Sequence, residues 1–186
     1  MPEDCRSITR RFYAWEAQEA RRVFADQLAY ERVKIHECTN WPNRIDQLGA
    51  WLKRVPYRGL PNAITLGNDC YFPVNLPQNL VSIDHPEHYK IPWLIHELTH
   101  VWQYQRLGWR YLFQALEAQF KSGAQVYVFG GEAGLIEAFQ QGRKFSSFNM
   151  EQQGDICRTY YERLSRGVDI SAWLPFITEL QQAGNS

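Results

Sequence analysis

Apolar residues recur along the N-terminal part of the chain with the spacing of a helix. Between Ser7 and Tyr30 they are separated mainly by arginine and glutamate, which predicts an amphipathic helix over this range. The residues from Glu31 to Cys38 instead alternate between polar and apolar types, which favours a strand. The chain therefore opens with a predicted helix followed by a predicted strand.

The middle of the chain is broken by prolines and glycines, which favours short strands and loops. The pattern predicts two strands, at 63–67 and 70–72, around a turn at Asn68 and Asp69. Pro92 suits the first position of a helix that runs to Leu107, and Gly108 suits its C-cap. Further helical segments are predicted at 109–121, 135–140, 149–166 and 172–182, with a turn at 130–134. These elements predict one α+β domain over residues 1–186.

The composition excludes some classes of binding partner. The chain has 186 residues, and its 20 lysines and arginines balance 20 aspartates and glutamates. Without net charge, it has no basis for non-specific binding of nucleic acid or of an anionic membrane surface. Aromatic residues make up 15% of the sequence, enough to build a full core without disulfides. We therefore expect a folded protein with neither nucleic acid nor membrane as its partner.

The cysteines and the N-terminal residues indicate in which cellular compartment the protein is expected. Cys5, Cys38, Cys70 and Cys157 lie far apart and form no CxxC pair, which predicts free thiols in a reducing compartment, or at most one or two bridges. The first residues carry charges of both signs and no apolar stretch follows, so no signal peptide is predicted. The default expectation is a cytoplasmic protein, with export by a route without a cleavable signal as the alternative.

The chemistry is concentrated in one short motif on a predicted helix. His96, Glu97 and His100 form the pattern H-E-x-x-H. Two histidines four positions apart on a helix differ by about 40° in direction, so both imidazoles can reach one metal ion, and nitrogen ligands suit Zn²⁺. Glu97 is then placed to take a proton from a metal-activated water and pass it to a leaving amine. The remaining face of this helix is apolar and can pack in a core.

A catalytic zinc site needs a third protein ligand, and several residues could supply it. Glu151 is favoured, because it begins a predicted helix and Asp155 follows one turn later. A glutamate in the first turn of a helix is also favoured by the helix dipole alone. The other candidates are the downstream carboxylates and two upstream histidines: Glu117, Glu132, Glu137, Asp155, His85 and His88.

Two segments resemble the signatures of small bacterial gluzincin-like domains found with Rhs-type toxins and contractile injection systems. Residues 91–103 (IPWLIHELTHVWQ) resemble their metal-bearing helix, and residues 148–153 (FNMEQQ) resemble their second helix. The resemblance extends over roughly residues 15–165. It implies a zincin-like fold, with a small mixed or antiparallel sheet packed on the metal-bearing helix. It also implies one Zn²⁺ per chain on the residues His96, His100 and Glu151, with Glu97 as general base and Asp155 orienting a ligand histidine.

Together these features predict a zinc-dependent hydrolase, most simply a metallopeptidase that acts on a peptide or protein. The alternative is a non-catalytic zincin-like module with a protein partner in a secretion or toxin complex. An enzyme also needs a group that stabilises the oxyanion, and the candidates for it are Tyr161, Tyr104 and Arg158. The strand at 63–67 is either an edge that pairs with an extended substrate or an ordinary core strand.

Overall fold

The computed structural model describes residues 5–39, 62–108 and 128–183. Within these ranges the chain forms four short strands, five α-helices and two short 3₁₀ helices (Tyr30–Arg32 and Phe145–Ser147). The strands and helices are, in chain order, β1 (Ile8–Arg10), α1 (Ala14–Phe24), β2 (Lys34–Glu37), β3 (Ile64–Leu66), β4 (Asp69–Tyr71), α2 (Lys90–Leu107), α3 (Gly131–Gln140), α4 (Met150–Ser165) and α5 (Leu174–Gln182).

The four strands form one mixed sheet in the order β1-β2-β4-β3. β1 is antiparallel to β2, β2 is parallel to β4, and β4 is antiparallel to β3. The hairpin between β3 and β4 turns at Gly67 and Asn68, one residue earlier than the sequence predicts. Gly67 has a φ of +67° there, a left-handed conformation that suits glycine. β1 and β3 are the two edge strands of the described sheet.

Helix α2 carries the H-E-x-x-H residues (the metal-motif helix) and contacts both the sheet and other helices. It packs most extensively against α4 and also contacts β3 and β4. α1 contacts α4 and α5, so one hydrophobic core joins the sheet and the helices. The α+β class is confirmed, with a small mixed sheet beside the helix that carries the motif.

The predicted helix over Ser7–Tyr30 is wrong at both ends, because β1 occupies its start and α1 stops at Phe24. Arg10 in β1 makes two hydrogen bonds to the Glu16 carboxylate, at 2.6 and 2.8 Å, and one of 2.7 Å to Glu37 in β2. Glu16 also accepts a hydrogen bond from the backbone N–H of Tyr13, which caps α1. Strand pairing and this buried ion network therefore override the helical spacing.

Two other boundaries differ from the sequence-based prediction. α2 begins at Lys90, so Pro92 lies within its first turn, where backbone N–H groups have no intrahelical acceptor. α3 includes residues 131–134, which were predicted as a turn; the chain reverses at Gly130 instead, with a φ of +86°. The predicted helix at 109–121 lies outside the described residues.

Cys5 and Cys38 form a disulfide, whereas Cys70 and Cys157 are free and buried. The bridge connects the N-terminal segment to the end of β2. One bridge is within the range that the sequence predicts, but a disulfide is typical of oxidising compartments and does not support the expected reducing one. Among the described residues, no helix has the length and apolar character needed to cross a membrane.

Candidate metal centre

Three buried side chains from α2 and α4 meet at one point. The Nε2 atoms of His96 and His100 are 3.2 Å apart. Oε2 of Glu151 lies 3.3 Å from Nε2 of His96 and 3.5 Å from Nε2 of His100. Each residue is less than one-tenth exposed. The two helices therefore place two imidazole nitrogens and one carboxylate oxygen at the corners of a small triangle.

The start of α4 is fixed by a capping box. The side chain of Asn149 accepts a hydrogen bond of 2.9 Å from the backbone N–H of Gln152. The side chain of Gln152 in turn accepts one of 3.2 Å from the backbone N–H of Asn149. Because these bonds set the first helical residue at Met150, Glu151 lies in the first turn with its carboxylate towards α2.

Gly154 allows α4 to approach the first histidine closely. A Cβ atom at this position would lie 2.7 Å from Cε1, 2.9 Å from Nδ1 and 3.0 Å from Nε2 of His96. These distances are too short for any side chain larger than hydrogen. A glycine inside a helix costs about 1 kcal/mol relative to alanine, and the close packing of the two helices explains its presence.

Each imidazole has a hydrogen-bond acceptor on its far side. Nδ1 of His96 lies 3.2 Å from Oδ1 of Asp155, which also forms an ion pair of 3.1 Å with Arg158. Nδ1 of His100 lies 2.8 Å from Oε1 of Gln103. Acceptors behind both rings place the ring protons on Nδ1 and leave Nε2 of each ring to face the centre.

The electrostatics of the three residues are strongly coupled. Burial alone lowers the pKa of His96, but hydrogen bonds with Asp155 and Glu151 and the negative charge nearby raise it to about 10. Burial likewise lowers the pKa of His100, and Glu151 raises it above its usual value. Burial raises the pKa of Glu151, yet the two imidazoles hold it well below its usual range. The centre therefore favours a positive charge beside an ionised carboxylate, and a divalent cation supplies such a charge.

Glu97 follows His96 on α2, and its carboxylate is held by the edge strand β3. It is 5% exposed, and the Thr65 hydroxyl on β3 donates a hydrogen bond of 2.8 Å to its Oε2. The negative charge of Glu97 acts to raise the pKa of both His96 and His100. The structure thus provides a buried, oriented carboxylate on the residue that follows the first candidate ligand.

The three oxyanion candidates lie in different surroundings. The buried hydroxyl of Tyr161 donates a hydrogen bond of 2.7 Å to Glu19 on α1. The Arg158 guanidinium pairs with Asp155, on the far side of the His96 ring. Tyr104 is half-buried, one turn beyond His100 on α2. Tyr161 and Arg158 are thus engaged with Glu19 and Asp155, and Tyr104 lies on the histidine side of its helix.

The other candidate third ligands do not join the group. Glu132 and Glu137 are exposed on α3. His85 and His88 precede α2, and neither belongs to a cluster of metal-ligating side chains in the described residues. Glu117 lies outside the described residues. Of the candidates that the structure describes, Glu151 is therefore the one in position.

Sequence reasoning missed two residues that contact the motif. Gln103 follows His100 by three positions, a spacing that places two side chains on the same helix face, and this spacing could have identified it. Thr65 had no comparable indication, because its contact with Glu97 depends on how the strand packs against α2.

The triangle of ligand atoms has the dimensions of a zinc site. Two atoms bound at about 2.0–2.1 Å with tetrahedral angles lie about 3.3–3.4 Å apart. The three separations observed, from 3.2 to 3.5 Å, bracket this value. Two bare imidazole nitrogens and a carboxylate also repel one another at such distances unless a cation or a proton lies between them. The residues present therefore fit a zinc ion.

Comparisons of the chain with protein-family models, with curated proteins and with solved structures give no match. A zincin-like fold therefore stays a prediction from the two sequence motifs.

Proposed function

We propose that the protein is a zinc-dependent hydrolase of the gluzincin type, in which Glu97 is the general base. The observation that carries the proposal is the placement of four side chains. His96, His100 and Glu151 have a spacing that suits metal ligands, and Glu97, the residue after His96, is buried without being one of the three. Three protein ligands are typical of a catalytic zinc, whereas structural zinc sites have four.

Each residue then has a distinct task. The two imidazoles and Glu151 would hold the ion, and Asp155 would orient His96. A zinc ion in this position would supply a Lewis acid and a water of lowered pKa. Glu97 would then be the group that takes a proton from water and returns it to the leaving group. The hydrogen bond from Thr65 keeps the Glu97 carboxylate in one orientation.

A peptide is the substrate class that the fold favours. β3 is one of the two edge strands of the described sheet, and its central residue Thr65 contacts Glu97. An extended chain paired with this edge would run alongside the general base, and adding a strand to a sheet edge is a common way to bind peptides. The family resemblance implies the same activity.

The deciding experiment replaces Glu97 with glutamine. Glu97→Gln keeps the shape and can still accept a hydrogen bond from Thr65, so zinc content and thermal stability should equal those of the wild type. Peptide hydrolysis should fall by about 10²–10⁴-fold, because the base is lost. The measurements are zinc content by elemental analysis and cleavage of a mixed peptide library, with Glu132→Gln on exposed α3 as the matched control.

Two outcomes would contradict the proposal. A wild-type protein that holds zinc but cleaves no peptide in the library would favour the non-catalytic zincin-like module with a protein partner. A Glu97→Gln variant that loses zinc would show that this carboxylate supports the metal, and its assignment as general base would have to be withdrawn.

A further inference from the structure

The amide of Gln103 is completely buried between the metal-motif helix and α4. Its Oε1 lies 2.8 Å from Nδ1 of His100. Its Nε2 donates to the backbone carbonyl of Met150 and to Oε1 of Gln153, at 3.0 Å in both cases. The side chain therefore connects one proposed ligand to the first turn of the helix that carries another.

The direction of these hydrogen bonds is set by a backbone carbonyl. Nε2 of Gln153 donates a hydrogen bond of 2.8 Å to the carbonyl of Phe148, which can only accept. Oε1 of Gln153 must then face Gln103, and it can accept only from Nε2 of that residue. Oε1 of Gln103 is consequently turned towards His100, where it requires a proton on Nδ1.

We propose that Gln103 and Gln153 form an amide relay, from the Phe148 carbonyl to the His100 ring, that fixes His100 with its proton on Nδ1 and Nε2 available to the metal. Both glutamines are positioning residues, and Gln153 acts through Gln103. The relay rests on the proposed function in so far as zinc is the ion that Nε2 binds. It also assigns a task to the second glutamine of the segment FNMEQQ, whose first glutamine closes the capping box.

The two histidines thus face hydrogen-bond acceptors of different charge. His96 faces the charged carboxylate of Asp155, which is paired with Arg158. His100 faces a neutral amide. An amide fixes the ring proton without adding negative charge to a centre that already contains Glu151 and Glu97. Groups that orient a metal-bound histidine typically contribute about 10–100-fold to metal affinity.

If the two glutamines had a purely structural role, their replacement would lower stability without a specific effect on zinc affinity. Buried amides whose hydrogen bonds are satisfied also stabilise a core, so their loss would lower the free energy of unfolding whatever their effect on zinc. The test therefore needs a matched amide. Gln105 lies on the same helix, and its side chain bonds Ala29 and Asn68 rather than either imidazole. Gln105→Met should destabilise the fold and leave zinc affinity unchanged.

The experiment is a double-mutant cycle on zinc affinity, measured by competition with a chromophoric chelator well below the unfolding temperature. Gln103→Met should weaken zinc binding by about 10–100-fold. Gln153→Met should weaken it less, and the double variant should bind like Gln103→Met alone, because both changes interrupt the same relay.

A second readout does not depend on zinc. In metal-free protein, the Nδ1 proton of His100 should give a protected signal in ¹H–¹⁵N spectra. This signal should persist in Gln105→Met and disappear in Gln103→Met.

The outcomes separate the relay from the proposed function. Absence of the Nδ1 signal from the wild type, or wild-type zinc affinity in Gln103→Met, would overturn the relay. Additive losses in the double variant would overturn the role of Gln153 through Gln103. A wild type that binds no zinc but keeps the signal and its dependence on Gln103 would overturn the zinc site and support the relay.

Discussion

Thr65 is the single described side chain whose hydroxyl donates a hydrogen bond to the Glu97 carboxylate. Thr65→Val keeps the branched shape that suits a strand and removes the hydroxyl. Hydrogen bonds to charged groups contribute about 1.5–3 kcal/mol, and about 1.4 kcal/mol corresponds to tenfold in rate. We expect kcat for peptide hydrolysis to fall about 10–100-fold, with zinc affinity unchanged and activity restored in Thr65→Ser.

The control for this variant lies on another strand of the same sheet. The hydroxyl of Thr9 on β1 is 2.9 Å from Nδ1 of His36, and Thr9→Val should keep full activity. Steady-state kinetics of the three variants, together with zinc titrations, provide the comparison. If Thr65→Val is as active as the wild type, the orientation of Glu97 does not depend on this contact.

At the residue scale, the sequence identifies functional residues whose partners lie only a few positions away in the chain. His96, Glu97 and His100 stand out because helical geometry alone puts the two imidazoles on one face. Thr65 could not be found in this way, because its contact with Glu97 requires knowledge of the sheet order and of the face that β3 turns to α2. Residues close in sequence can be assigned from spacing, whereas partners from another element need the fold.

At the element scale, the close approach of α2 and α4 determines whether the ligands meet. Gly154→Ala adds a methyl group that would overlap the His96 ring, with separations of 2.7–3.0 Å. Either the helices separate or the ring turns, and both displace a ligand atom. We expect zinc affinity to fall at least tenfold, since orientation effects of this kind reach about 10–100-fold. Zinc titration measures the affinity of the variant. Circular dichroism of the metal-free protein shows separately whether its helices still form.

Gly131→Ala distinguishes overlap from backbone strain. Gly131 has a φ of +61°, but an added Cβ would meet no atom within 4 Å. This variant should lose some stability through strain and keep its zinc affinity. Equal zinc affinity in Gly154→Ala and the wild type would show that the contact between α4 and His96 is not needed for metal binding.

The helices were easier to predict from sequence than the first strand, for a physical reason. α2 and α4 carry their own start and stop residues, such as the C-cap at Gly108 and the N-cap at Asn149. β1 has only three residues, and its conformation comes from pairing with β2 and from the ion pairs of Arg10. A segment so short has no periodicity of its own, and its spacing merges with that of the helix that follows.

At the scale of the whole molecule, the proposed site joins two helices that are separated by more than 40 residues of chain. An ion held by His96, His100 and Glu151 would therefore link α2 to α4 in the folded state only. A ligand that binds only the folded state at 100 times its Kd stabilises it by about 2.7 kcal/mol. For a chain of this size, that corresponds to a rise of roughly 5–10 °C in Tm.

We therefore expect zinc to raise the Tm of the wild type by this amount and a chelator to reverse the rise. His100→Ala should show no rise, because one of the three ligands is gone. Glu132→Ala, which removes an exposed carboxylate on α3, should respond like the wild type. Differential scanning calorimetry of all three proteins in one buffer, each with and without zinc, measures these changes in Tm. The same rise in His100→Ala as in the wild type would place the stabilising ion elsewhere, and the centre between α2 and α4 would lose its principal support.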